Sequence, residues 1–158
     1  MKRIPLLCID SVDDSRPLLV LAPLLEAFDA AGLRWAHLVW RPSESPSASS
    51  AAPSAAVAGE AEEALAAGGH KAVRIEAGRS VATKALAGPP VFRDVLREHF
   101  RGQGVVLIEG ELPADIPAPR IEATSEGRFL VTTEKSARSF DVQQVIAELR
   151  RARPFDSE

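Results

Sequence analysis

Tyrosine is absent from this 158-residue chain, and aromatic residues make up only 5% of it. So few flat rings leave little for bases to stack on, which argues against a single-stranded nucleic-acid surface. Charge argues the same way: a formal net charge of −3 provides no field that would draw the chain to nucleic acid or to an anionic membrane. There is one cysteine, Cys8, so no intramolecular disulfide can form, and no Cys/His cluster has zinc spacing. Cys8 lies inside the first apolar run and reads as a buried core thiol. No apolar run reaches the roughly 18 residues that a spanning helix needs. The basic start of "MKRIPLLCIDS" is followed by too short an apolar stretch for a signal peptide. A reducing cytoplasm is the expected compartment.

What is present is ordinary for a globular chain: 46% hydrophobic and 26% charged residues, enough for one core. Residues 1–152 are expected to form a single α/β domain and residues 153–158 a frayed tail. Residues 4–10 read as a buried strand. Residues 16–31 read as a helix with Leu18, Leu21, Leu24, Leu25 and Phe28 on one apolar face and Gly32 just past its end. Pro23 would cost about 3 kcal/mol inside a helix, so a kink is expected there, or a helix that starts near Leu21. Residues 33–40 read as a second strand, with Trp35 and Trp40 on opposite faces. One tryptophan is expected in the core; an exposed Trp40 beside Arg41 would suit a partner-binding anchor.

Residues 41–59, "RPSESPSASSAAPSAAVAG", are dominated by Ser, Ala and Pro. Such a tract cannot bury enough surface to offset its ordering entropy, so a flexible loop is expected. Further on, residues 60–70 read as a short helix, 71–77 as a third strand, and 90–100 as a helix with Val91, Val95, Leu96 and Phe100 inward. The strongest strand signal is 104–111. Residues 118–124 and 128–134 read as two more strands with a hairpin turn at Glu126-Gly127. Residues 139–152 read as a closing helix with Asp141 as N-cap. Strands alternating with helices predict an α/β, doubly wound, mostly parallel sheet.

In such a fold the junction of first strand and first helix is where a phosphate loop sits. Here it reads "CIDSVDDSRPLLV". A phosphate loop uses glycines to turn backbone N–H groups inward, a lysine to neutralise charge and a hydroxyl to hold magnesium. Aligned to that pattern, Asp10 to Pro17 puts Arg16 at the lysine position and Pro17 at the hydroxyl position, with no glycine. Asp13 and Asp14 fall where a polyphosphate would lie, and carboxylates there repel it. Ordinary ATP or GTP hydrolysis is disfavoured, and no residue is assigned a catalytic role.

The chain resembles the molybdopterin-guanine dinucleotide biosynthesis protein B family, which has a P-loop NTPase-like, three-layer fold. The resemblance is carried by "IPLLCIDSVDDSRPLLVLAPLLEAFDAAGLRWAHLVW", "ALAAGGHKAVRIEAGRSVA", "GVVLIEGELPADIPAPRIEA" and "DVQQVIAELRR". In that family the glutamate of a Val-Glu-Gly motif lies beside the nucleotide and its metal. The matching residues are Glu109 and Gly110, within Ile-Glu-Gly. The chain departs from the family in lacking the glycine-rich loop and in having Trp40 where a histidine is usual. The resemblance therefore implies a non-catalytic accessory or adaptor protein with its nucleotide loop lost. Ser11, Asp13, Asp14, Ser15, Arg16, Glu109 and Gly110 are the residues that would face any remaining ligand. Mg²⁺ or GTP is disfavoured as a cofactor, and a protein partner, or a homodimer, is expected.

Other readings of the same residues stay open. Asp10, Asp13, Asp14 and Glu109 would meet at the sheet's carboxyl edge, where oxygen ligands suit Mg²⁺ or Ca²⁺; Asp13, Asp14 and Glu109 are the candidate metal ligands. Asp13, Asp14 and Ser15 equally suit a capped helix start, and Glu109 equally suits a strand end facing solvent. "VDDSRPLL" also resembles the start of a response-regulator receiver. That likeness would make Asp13 and Asp14 the magnesium pair, place the phospho-acceptor near Glu76 and let Lys135 stand for the family's lysine. His37, His70 and His99 lie far apart and read as surface or packing residues.

Overall fold

The computed structural model describes residues 4–9, 17–40, 67, 71–76, 79–84, 88–151 and 154–155. In chain order the elements are β1 (Leu6–Ile9), α1 (Pro17–Val20), α2 (Ala22–Ala30), β2 (Trp35–Trp40), β3 (Lys71–Glu76), β4 (Arg79–Lys84), α3 (Phe92–His99), β5 (Val105–Gly110), β6 (Arg120–Ala123), β7 (Phe129–Thr132), β8 (Ala137–Phe140) and α4 (Val142–Leu149). The chain divides into two compact units, one of Met1–Arg41 with Phe92–Glu158, the other of Pro42–Val91.

The larger unit holds a six-stranded sheet in the order β2-β5-β1-β6-β7-β8. The first four of these strands are mutually parallel; β7 and β8 extend the sheet as antiparallel hairpins. Alternate residues of the strands feed two cores. On one face Leu7, Val105, Leu107, Ile121 and Val131 pack with Leu21, Leu24 and Phe28 before and within α2 and with Val145, Ile146 and Leu149 of α4. On the other, Cys8, Trp40, Val106 and Ile108 pack with Phe92 of α3. Helices therefore cover both faces of a sheet, as the sequence periodicity predicts, and Cys8 is buried.

Local chemistry explains most element boundaries. The helical run after β1 breaks at Leu21 and restarts at Ala22, which puts Pro23 in the first turn of α2. The Leu21 carbonyl accepts from the N–H groups of Leu24 and Leu25, at 2.9 and 3.0 Å. A first-turn residue has no intrahelical N–H partner to lose, so the proline is accommodated. At the other end, Gly32 takes φ +66°. Its N–H donates to the Asp29 carbonyl and that of Leu33 to Phe28, which is the paired arrangement that closes a helix with a left-handed residue. α4 starts with a reciprocal cap: the Asp141 carboxylate accepts from the Gln144 N–H at 2.8 Å, and the Gln144 side chain accepts from the Asp141 N–H at 2.9 Å. The turn between β6 and β7 falls at Glu126-Gly127, as expected.

Several expectations are corrected. The strand at 71–77 is not a third strand of the main sheet. It is β3, paired antiparallel with β4 in a two-stranded sheet of its own, with Lys71 opposite Lys84 and Glu76 opposite Arg79. β4 was not expected, because "RSVATK" carries little apolar alternation and is held by its partner rather than by its own pattern. β8 was likewise not expected: Ser139 and Phe140 belong to it, and the closing helix starts after Asp141. In α3 the inward residue is Phe92, not Val91, which is 57% exposed. Phe92, Val95, Leu96 and Phe100 follow a helical period, whereas Val91 precedes the helix. The tail does not fray at Phe155, which is buried: its ring lies 5.6 Å from that of Phe140 and its N–H donates to Glu148 Oε2 at 3.1 Å. The loop expected at 41–59 and the helix expected at 60–70 lie outside the described residues, apart from Ala67.

Candidate ligand edge of the sheet

Open α/β sheets bind ligands beyond the carboxyl ends of their parallel strands, where neighbouring strands send the chain in different directions. That edge is formed here by the ends of β1, β5 and β2. Cys8 lies opposite Ile108, so the chain leaves β1 beside the end of β5. On the other side of β5, Val39 is opposite Glu109 and Trp40 opposite Gly110. Asp10, Ser11, Asp13, Asp14, Ser15 and Arg16 lie outside the described residues, as does His70. Of the residues singled out from the sequence, Glu109 and Gly110 are placed at this edge.

Glu109 is not a strand end open to solvent. Its side chain is 21% exposed, and its Oε2 lies 3.5 Å from Nε2 of His37, whose side chain is 24% exposed. The two sit diagonally on adjacent parallel strands, on the face that carries Leu107: His37 is opposite Leu107, and Glu109 follows two residues later. His37 Nε2 is shielded from water and has no hydrogen-bond partner among the described residues. A buried polar atom left unpaired costs about 1–3 kcal/mol, and 3.5 Å lies just beyond ordinary hydrogen-bond range. Sequence reasoning missed His37. Its alternation with Trp35 and Val39 marks the face it lies on, but nothing local marks which strand is its neighbour.

Gly110 is required by space as well as conformation. Its φ is +113°, and a Cβ there would run into the carbonyl oxygen of Trp40. A side chain at this position would force β2 and β5 apart at the ligand edge. Trp40 itself corrects an expectation. It is only 7% exposed and its ring meets Phe92 edge to face, centroids 4.9 Å apart and planes at 88°. It is a core residue and not an exposed anchor. Trp35 lies on the opposite face, as expected, and its Nε1–H donates to Asp29 Oδ1 at 3.0 Å.

Among the described residues no group of three or more His, Cys, Asp and Glu side chains could hold a metal ion. Of the candidate ligands Asp13, Asp14 and Glu109, only Glu109 is described. The receiver reading is overturned by topology. In that doubly wound order the second strand lies beside the first, whereas β5 separates β1 from β2. Glu76 belongs to the separate β3–β4 sheet, and Lys135 follows β7, which runs antiparallel to β6 and so leads the chain away from the carboxyl edge. Among the described residues no helix is long and apolar enough to cross a membrane.

No protein-family model and no curated protein matches the chain. Among solved structures, four chains match. One is the crystal structure of MobB from Bacillus subtilis, which is similar over 78% of this chain and 71% of that chain, at 18% identity and a TM-score of 0.50. This is a likeness of fold. The chain has a MobB-like α/β architecture with helices on both faces of its sheet.

Proposed function

We propose that the chain is a non-catalytic, P-loop-like accessory or adaptor protein, resembling the protein B family of molybdopterin-guanine dinucleotide biosynthesis, with its nucleotide loop lost. The observation that carries this reading is a mismatch between place and chemistry. β1 is followed in the chain by α1, and its neighbour β5 ends in Glu109-Gly110, in a MobB-like fold. Yet the loop sequence between β1 and α1 has acids where a phosphate cradle needs glycines. A protein partner, including a second copy of the chain, is the remaining role for such a scaffold.

Thermal unfolding of the full chain with GTP, ATP or a molybdopterin nucleotide, each with Mg²⁺, tests it. A ligand at a hundred times its Kd stabilises by about 2.7 kcal/mol, a readily visible shift in Tm. The expected result is no shift with GTP and Mg²⁺, with a partner then recovered by pull-down. A clear GTP-dependent shift overturns the proposal.

A second reading is favoured by the shielded position of Glu109. A carboxylate held at the ligand edge, on the strand next to the one that leads into Asp10, Asp13 and Asp14, suits a divalent cation bound through oxygen. It predicts a Tm shift with Mg²⁺ alone that is abolished by Asp13→Ala. Absence of that shift rejects it.

A further inference from the structure

We infer that His37 is the positioning residue for the Glu109 carboxylate, so that the two work as one imidazole–carboxylate unit at the ligand edge. The inference deepens the second reading above and, as regards any ligand, rests on it. Three observations carry it. His37 Nε2 is 3.5 Å from Glu109 Oε2, both side chains are largely buried, and Nε2 has no hydrogen-bond partner among the described residues. Their strands are locked in register, with Val39 opposite Glu109 and Trp40 opposite Gly110. With no side chain at Gly110, the Trp40 carbonyl can approach it closely, so the ends of β2 and β5 lie close together beside the pair.

The chemistry has a direction. With a proton on Nε2, as the neutral tautomer or as the imidazolium, His37 donates to Glu109 Oε2. With its proton only on Nδ1 it would turn an acceptor towards an acceptor. The carboxylate therefore selects the Nε2–H form, and the imidazole in return fixes the carboxylate's orientation. Carboxylate–imidazole pairs act in this way on neighbouring ligand atoms, and removing the outer partner typically weakens cation binding about tenfold or more.

Side-chain NMR of the full-length, isotopically labelled chain tests this without any ligand. Long-range ¹H–¹⁵N spectra should show His37 as Nε2–H in the wild type and as a mixture of tautomers in Glu109→Ala. The Glu109 carboxyl carbon should shift in His37→Leu and return in His37→Gln, whose amide N–H reaches the same place. An unchanged tautomer in Glu109→Ala overturns the inference, and this arm decides alone if His37→Leu does not fold. A Mn²⁺ titration then separates this inference from the metal reading. If the wild type binds, His37→Leu should weaken binding about tenfold while His37→Gln stays near wild type, and equal weakening by both variants would overturn the positioning role. If the wild type does not bind Mn²⁺, the metal reading fails and the resonances still decide the pairing.

Discussion

Gly110 lies opposite Trp40 at the end of the β2–β5 ladder, and the Trp40 carbonyl oxygen occupies the space into which a Gly110 side chain would have to grow. The strand that ends in Glu109-Gly110 is thereby tied to the second strand at the place where a ligand would approach. A motif that reads as functional in the sequence is also structural.

Gly110→Ala should destabilise the protein by about 3 kcal/mol or more, from a left-handed backbone position combined with a backbone clash. Urea unfolding followed by circular dichroism measures it. Gly88→Ala, where a Cβ would meet nothing within 4 Å, serves as the control, and its change should stay within about 0.5 kcal/mol. Equal effects at the two sites would show that the close approach to Trp40 is not what demands glycine.

Trp40 and Phe92 should be energetically coupled, because their rings meet edge to face. A double-mutant cycle with Trp40→Leu and Phe92→Leu should give an interaction energy of about 0.5–1.5 kcal/mol. Additive losses would contradict a specific ring contact. A Trp40→Leu variant as stable as the wild type would contradict its burial.

Asp141→Ala removes the side chain that accepts from the Gln144 N–H, and a loss of about 1 kcal/mol is expected. Asp141→Asn keeps an acceptor at the same place and should cost only a few tenths of that. The ordering Asp, Asn, Ala in urea midpoints checks the cap; a large loss in Asp141→Asn would point to the charge instead.

Pro23→Ala should change stability by less than about 1 kcal/mol, since a proline in the first turn of α2 displaces no hydrogen bond. Ala27→Pro, further along the same helix, should cost about 3 kcal/mol. Comparable effects for the two variants would mean that the helix runs unbroken through Leu21.

What could be read from the sequence alone is what depends on neighbours along the chain. The break near Leu21, the Gly32 helix end, the Asp141 cap, the turn at Glu126-Gly127 and the apolar run of β5 are each decided within a few residues, by capping, turn chemistry and side-chain period. Opposite faces for Trp35 and Trp40 follow from the same alternation. Only the tertiary structure decided what depends on residues distant in the chain. β4 and β8 have weak patterns and exist because a partner strand pairs with them. β5 rather than β1 became the neighbour of β2, which excluded the receiver order and brought His37 to Glu109. Phe92 covered Trp40 and took it from solvent. A period of two tells which side chains share a face of a sheet, but it carries no information about which strand lies alongside, and that adjacency made both the core and the edge of this protein.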